Sequence, residues 1–176
     1  DHIAQGLRSV LGVPGRFEKV SCAQNFSVVV DYAHTDEALR NVLRAARGFT
    51  SGRVITVFGC GGDRDIGKRK EMGRVAIEES GFSVITSDNP RTENPQCIVD
   101  DILKGVPSSA CQGKDYEIII DRREAIRFAV EKAKPGDLVM IAGKGHEKFQ
   151  VFKTGSIHFD DREIAEEAVK GVSKGD

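Results

Sequence analysis

Short apolar runs rich in valine and isoleucine alternate along this chain with amphipathic stretches. The apolar runs predict strands at residues 28–30, 54–58, 84–86, 118–120 and 138–142. The amphipathic stretches predict helices at residues 36–47, 68–80, 95–104, 123–134 and 162–172. This alternation is typical of βα units, so we expect an α/β domain with a Rossmann-like, mostly parallel open sheet flanked by helices.

The two ends of the chain depart from this alternation. Residues 150–152 and 157–159, separated by Gly155, predict an antiparallel hairpin at an edge of the sheet. Residues 3–11 resemble the tail of a helix, and residues 12–16 have the glycine and proline content of a hinge. We therefore expect residues 1–16 to be the end of a preceding domain with its hinge, and residues 17–176 to form a domain of their own.

Composition excludes several classes of protein. The 26 Lys and Arg residues balance 27 Asp and Glu residues, so no overall field attracts nucleic acid or an anionic membrane. The four cysteines form no C-x-x-C pair, and no apolar run is long enough to span a bilayer. These features predict a reduced, cytoplasmic protein without nucleic-acid binding or membrane insertion. Cys60 lies in a glycine-rich loop with no base beside it in the sequence, and we assign it no catalytic role.

Polar residues follow all five predicted strands, at the end where ligands bind in open parallel sheets. These segments are DYAH from Asp31, GCGGDRD from Gly59, DNPR from Asp88, DR from Asp121 and GKGHE from Gly143. Helix capping explains Asp36, Asp65 and Asp121. It does not explain Arg64, Arg91 or Lys144, because a cation at a helix start opposes the dipole, so we expect these residues to meet a carboxylate or phosphate.

Two familiar kinds of site are disfavoured. The loop from Gly59 to Gly62 matches neither the dinucleotide fingerprint nor the P-loop, which argues against a dehydrogenase. His34 and His146 lack the paired spacing of metal ligands, so we expect both to form hydrogen bonds and predict no metal site in this chain.

Taken in order, these segments resemble the carboxyl-terminal domain of the Mur ligases. The matching blocks are GVPGR from Gly12, DYAHT from Asp31, GCGGDRDIGKR from Gly59, DNPRTENP from Asp88 and GKGHE from Gly143. The resemblance covers nearly the whole chain and is closest to members that add meso-diaminopimelate.

The resemblance implies an ATP-dependent ligase of peptidoglycan precursor synthesis. ATP phosphorylates the D-glutamate carboxylate of UDP-MurNAc-L-Ala-D-Glu, and the amine of meso-diaminopimelate then displaces phosphate. In this family the P-loop and the Mg²⁺ ligands belong to a central domain, and neither is visible in this sequence. We therefore expect that this chain cannot complete the reaction alone. The resemblance also implies that the full-length ligase is a cytoplasmic monomer.

The resemblance also implies site residues, although none is a confident catalytic group. For meso-diaminopimelate these are Arg64 and Arg91 on a carboxylate, Asn89 as a hydrogen-bonding partner with Pro90 beside it, and Asp88, Glu147 and the Gly143 carbonyl on the amino-acid end. For ATP they are Arg16 at the phosphates and Asp31, Tyr32 and His34 near the nucleoside or phosphate region. Simple packing is an equal explanation for Tyr32.

Three other readings remain open at this point. They are a lysine-adding ligase, an enzyme similar to folylpolyglutamate synthase, and a nucleotide- or amino-acid-binding module without chemistry. The DNPR loop favours diaminopimelate over lysine, because lysine has no second carboxylate to pair with Arg91.

Overall fold

The computed structural model describes residues 13–21 and 24–172, so the predicted helix tail at residues 3–11 lies outside the described part. The strands of the described part are β1 (Glu18–Val20), β2 (Ser27–Asp31), β3 (Val54–Phe58), β4 (Phe82–Ile85), β5 (Tyr116–Ile118), β6 (Leu138–Ala142), β7 (Phe149–Phe152) and β8 (Gly155–His158). The helices are α1 (Asp36–Arg47), α2 (Gly67–Glu79), α3 (Pro95–Leu103), α4 (Arg122–Lys132) and α5 (Asp161–Val172).

Six strands form the main sheet, in the order β1-β2-β6-β3-β4-β5. All neighbours are parallel except β1, which pairs antiparallel with β2. The central strands β3 and β6 are buried along their whole length, as their unbroken apolar sequences require. The predicted α/β class and mostly parallel sheet are confirmed.

The helices cover both faces of the sheet. Apolar side chains of α4 and α5 pack on one face, and those of α1, α2 and α3 pack on the other. Among the described residues, no helix has both the length and the apolar character needed to cross a membrane.

Local hydrogen bonds explain where the helices begin. Thr35, Asn94 and Asp121 each accept a backbone N–H in the first turn of α1, α3 and α4. Asp121 is therefore a cap, as predicted, whereas Asp36 lies in the first turn of α1, where an acidic residue favours the positive end of the helix dipole. Asp65 accepts the Gly67 N–H at 2.8 Å, just before α2.

The predicted C-terminal hairpin is present as β7 and β8, but it forms a separate two-stranded sheet. The antiparallel edge of the main sheet is β1, which carries no alternation of apolar and polar residues and was not predicted. The hairpin instead lies beside the loop after β4, where the Arg91 N–H donates to the Val151 carbonyl at 2.9 Å.

A buried ion pair joins the two helices on one face. Arg122 donates from Nε and Nη2 to the two carboxylate oxygens of Asp161, at 2.8 and 2.7 Å, and both side chains are fully buried. Two parallel bonds of this kind are strong and fix the relative orientation of the two groups.

We expect Asp161→Ala to lower the free energy of unfolding by about 3–5 kcal/mol, because it leaves the Arg122 charge buried without a carboxylate. Urea unfolding of the chain measures the change. Glu167→Ala is the matched control, since it removes the partially exposed pair with Arg123 and costs about 1 kcal/mol or less. An equal decrease in the free energy of unfolding in both variants would contradict the expectation that the buried pair contributes more to stability than the exposed one.

Candidate functional site

The carboxyl ends of β2, β3, β4 and β6 meet at one edge of the sheet and form a polar cleft of about 510 Å³. The cleft is lined by Tyr32, His34, Thr35, Gly59, Gly61, Arg64, Asp65, Lys68, Asp88, Asn89, Arg91, Gly143 and Glu147. Four separate loops contribute these residues, as expected for an open parallel sheet.

Most of the residues singled out from the sequence lie together here. The lining includes Arg64, Asp88, Asn89, Arg91, Gly143 and Glu147 from the amino-acid set, and Tyr32 and His34 from the nucleotide set. Pro90 is buried beside the cleft and lines an adjoining groove instead. Arg16 and Asp31 do not line the cleft.

Asp31 and Arg16 have partners within the chain. The Asp31 carboxylate accepts the backbone N–H groups of Phe17 and Ala33, both at 2.8 Å, and is nearly buried. The Arg16 guanidinium lies 4.9 Å from the centre of the Tyr32 ring, which also contacts the imidazoles of His34 and His146. The geometry therefore gives Asp31 a structural role. It places Arg16 against Tyr32, beside His34, and we call these three residues the rim of the cleft. Nucleotide contact by any of them stays a prediction.

Three cations in the cleft form no ion pair among the described residues: Arg64, Lys68 and Arg91. Arg91 donates from Nη1 to the carbonyls of Gly62, at 2.8 Å, and Asn89, at 3.4 Å. These bonds hold one side of its guanidinium and leave Nε and Nη2 without a partner in the described part of the chain. A carboxylate or phosphate is the chemical group that such unpaired guanidinium donors recognise best.

Lys144 behaves differently from these cations, although the sequence grouped it with Arg64 and Arg91. It is fully buried, and its Nζ donates to Asn89 Oδ1, Glu147 Oε2 and the Phe149 carbonyl, at 3.0, 3.2 and 2.6 Å. The carboxylate it meets belongs to Glu147 of its own loop. Lys144 is therefore a structural residue that fixes the loop after β6.

Asn89 is the residue through which the loops are joined. Its Oδ1 accepts from Lys144 and from the Val151 N–H at 3.0 Å, and its Nδ2 donates to Glu147 at 2.8 Å. The Asn89 carbonyl also accepts the Gly62 N–H at 2.8 Å. Because Asn89 is buried and most of its polar capacity is used within the chain, only one amide hydrogen remains for a ligand.

The acidic side of the cleft is formed by Asp88 and Glu147. One Asp88 oxygen accepts its neighbour's N–H at 2.6 Å, and the other faces Gly143. A side-chain carbon at Gly143 would lie 2.8 Å from that oxygen, in addition to requiring a φ of +118°. Glycine at this position therefore leaves the Asp88 carboxylate open to a cationic group.

The glycine-rich loop after β3 contains no reactive thiol. Burial raises the pKa of Cys60 to about 12, so the thiolate is not available near neutral pH. This agrees with the absence of a catalytic role for Cys60.

Metal coordination has no support in the described part of the chain, where no three His, Cys, Asp or Glu side chains are grouped to hold an ion. His34 instead donates from Nδ1 to the Tyr32 carbonyl, at 2.9 Å.

The cleft lining also contains residues outside the predicted ligand-binding sets, namely Thr35, Gly59, Gly61, Asp65 and Lys68, and Lys68 is the cation among them. Its Nζ donates to the His34 carbonyl at 2.8 Å, between the two sets of predicted residues. A usable signal was present, since Lys68 lies in the first turn of α2, where a cation opposes the helix dipole as at Arg64.

Comparisons with known proteins identify the family of this chain. The family model described as "Mur ligase, glutamate ligase domain" matches residues 15–145. The UDP-N-acetylmuramoyl-L-alanyl-D-glutamate–2,6-diaminopimelate ligase of Gloeobacter violaceus is 56% identical over 175 residues, covering 98% of this chain and 35% of that protein. The chain thus spans about a third of the length of the curated relatives it matches.

Solved structures give the same picture. A UDP-N-acetylmuramoyl-L-alanyl-D-glutamate–2,6-diaminopimelate ligase aligns with a TM-score of 0.84 at 41% identity, over 96% of this chain and 34% of that one. A bifunctional folylpolyglutamate synthase/dihydrofolate synthase from Yersinia pestis aligns with a TM-score of 0.61 at 24% identity, over 82% of this chain and 31% of that one. The second likeness shows a shared fold alone.

We expect Asn89→Ala to lower the free energy of unfolding by roughly 1–3 kcal/mol, because it leaves the Val151 N–H and part of the Lys144 ammonium without acceptors. Hydrogen exchange should become faster at the amides of β7 as the hairpin loosens. Asn94→Ala is the control, since it removes the cap of α3 but no bond to the hairpin. Unchanged exchange at Val151 in Asn89→Ala would contradict the joining role.

Proposed function

Because this chain belongs to the Mur ligase family, as its glutamate ligase domain, we propose that it is the carboxyl-terminal domain of a ligase that adds meso-diaminopimelate to UDP-MurNAc-L-Ala-D-Glu. The domain docks the incoming amino acid and helps to enclose ATP. Its boundary with the preceding domain lies near residue 16.

The observation that carries the proposal is the separation of charge within one cleft. Arg64 and Arg91 lack ion pairs among the described residues, while Asp88 and Glu147 lie in the same lining. Meso-diaminopimelate has carboxylates and ammonium groups at both ends, so it needs cationic and anionic partners together. A ligand of this kind satisfies both halves of the cleft at once.

Within this proposal, Arg64 and Arg91 bind a carboxylate of the amino acid. Asp88, Glu147 and the Gly143 carbonyl hold an ammonium group, and Asn89 contributes its remaining amide hydrogen. Pro90 acts indirectly, because its ring restricts the loop that carries Arg91.

The chemistry of the reaction limits what these residues do. ATP phosphorylates the D-glutamate carboxylate, and the free amine of diaminopimelate attacks the acyl phosphate, forming a tetrahedral intermediate from which phosphate leaves. The domain contributes orientation of the amine and exclusion of water. The P-loop and the Mg²⁺ ligands are assigned to the part of the ligase outside this chain.

The rim formed by Arg16, Tyr32 and His34 is assigned to the nucleotide. An aromatic ring with a guanidinium stacked on it offers a surface for a base and a charge for a phosphate. Asp31 supports this rim through its backbone bonds to Phe17 and Ala33. A cytoplasmic location and a monomeric state stay predictions from the sequence.

Arg91→Ala in the full-length ligase should abolish the preference for meso-diaminopimelate over L-lysine. A buried charge left without its partner costs about 3–5 kcal/mol, which corresponds to a preference of a hundredfold or more. The measurement is phosphate release with ATP, UDP-MurNAc-L-Ala-D-Glu and each amine, expressed as the ratio of the two kcat/KM values.

Arg74→Ala is the control for this experiment. Arg74 is partly exposed on α2, and its ion pairs with described residues are those with Glu71 and Glu78 of its own helix. Its removal should leave the ratio unchanged. Unaltered diaminopimelate kinetics in Arg91→Ala would refute the assigned carboxylate contact, and equal use of lysine by the unmodified enzyme would favour the lysine-adding alternative.

A further inference from the structure

The two loops that carry Arg64 and Arg91 are joined to each other by side chains outside the cleft. Asp63 precedes Arg64, and its N–H donates to Glu93 Oε1 at 2.5 Å. In return, Thr92, which follows Arg91, donates its hydroxyl to Asp63 Oδ1 at 2.6 Å. Each guanidinium therefore has a neighbour in the chain that is bonded to the opposite loop.

The buried side chain of Arg69 stabilises this connection between the two loops. Arg69 is 1% exposed, and its Nη1 and Nη2 donate to the two oxygens of Glu93 at 2.9 and 2.8 Å. Its Nη2 also lies 3.4 Å from the Gly61 carbonyl. Arg69 lowers the pKa of Glu93, so the carboxylate stays charged and keeps accepting from both Arg69 and Asp63. We call Asp63, Arg69, Thr92 and Glu93 the loop cross-link.

The backbone explains why the cross-link is needed. Asp63 and Arg91 have φ angles of +53° and +52°, in the left-handed region that residues other than glycine rarely adopt. Strained residues of this kind persist only where surrounding bonds fix them. The Gly62 N–H bond to the Asn89 carbonyl also joins these two loops, but it fixes neither Asp63 nor Arg91 itself, so the cross-link supplies bonds next to both strained residues.

We infer that Glu93 is a positioning residue for the carboxylate of the amino-acid ligand, which acts by holding Arg64 and Arg91 at a fixed separation through the loop cross-link. This inference rests on the proposed function and adds a determinant that lies outside the cleft lining. Neither Arg69 nor Glu93 lines the cleft, so their effect on the ligand is indirect.

The chain offers a matched control in Asp101. This residue accepts from Arg69 Nη1 at 3.0 Å, so it pairs with the same buried guanidinium as Glu93. It lies on α3 and otherwise pairs with Lys104, and within the described part of the chain its side chain forms no bond to either cleft loop. Asp101→Asn therefore disturbs Arg69 while leaving the acceptor for Asp63 in place.

The test is steady-state kinetics of the full-length ligase carrying Glu93→Gln, Asp101→Asn, Arg91→Ala, and Glu93→Gln with Arg91→Ala. Glu93→Gln should raise KM for meso-diaminopimelate roughly tenfold and leave KM for ATP and for UDP-MurNAc-L-Ala-D-Glu nearly unchanged, because it misplaces only the carboxylate receptor. Asp101→Asn should lower thermal stability with little change in any KM. In the double variant the loss in kcat/KM should be far smaller than the product of the single losses.

A second variant protects the test against misfolding of Glu93→Gln. Thr92 is exposed, so Thr92→Val breaks one bond of the cross-link at little risk to folding and should raise the same KM in the same direction. Independent losses in the double variant, an equal rise of all three KM values, or an equal effect of Asp101→Asn would each overturn the inference while leaving the proposed function intact. If the unmodified enzyme does not use meso-diaminopimelate, both the proposed function and the inference about Glu93 are refuted.

Discussion

The ion pair between Arg122 and Asp161 fixes the edge of the sheet from which the cleft is built. Besides its two bonds to Asp161, the Arg122 guanidinium donates to the carbonyl of Ala142 at 3.0 Å and lies 3.5 Å from that of Ser87. These carbonyls belong to the points where the chain leaves β6 and β4, immediately before Gly143 and Asp88. A fully buried charge is stable only when it is paired and hydrogen-bonded, so removing one partner of the Arg122 guanidinium lowers the stability of the fold strongly. The helices α4 and α5 and two of the cleft loops are therefore held by one side chain.

The same solution recurs at two other buried cations. Lys144 joins the loops after β4 and β6 to the hairpin, and Arg69 joins the loop after β3 to Glu93. Irregular loops leave backbone carbonyls without the partners that a strand or helix supplies, and a buried cation with several donors satisfies them. The cations of this edge thus fall into two groups. Those that are buried have partners within the chain and give the cleft its shape, whereas Arg64, Lys68 and Arg91 line it without an ion pair among the described residues.

This division also marks what could be predicted from the sequence. Periodicity predicted all five helices and four of the five parallel strands of the described part, because continuous apolar runs have few alternatives to a buried parallel strand. The fifth strand, β5, overlaps the run predicted at 118–120 only at Ile118, since it includes the polar Glu117 and lies two residues earlier. Periodicity failed for β1, whose three residues Glu18–Val20 carry no pattern and are fixed by pairing with β2. The helix-dipole argument singled out Arg64, Arg91 and Lys144 alike. Lys144 differs from the other two in that its side chain is fully buried, which the argument could not predict. The predicted strands and helices show in which loop a charged residue lies. Whether its side chain is buried depends on residues that are far away in the sequence.

The electrostatics of the cleft follow from the same distinction. The Glu147 carboxylate is shared with the Lys144 ammonium and the Asn89 amide, so part of its charge is already neutralised within the chain. Among the bonds of the described residues, the Asp88 carboxylate accepts one, from the backbone N–H of Asn89, and glycine at position 143 leaves space beside its second oxygen. Of these two carboxylates of the lining, the less compensated is therefore that of Asp88, which belongs to the same loop as the unpaired donors of Arg91. Under the proposed function, these two charges of opposite sign would orient a zwitterionic ligand before any chemistry begins, and the buried cations Arg122 and Lys144 stabilise the loop that carries both.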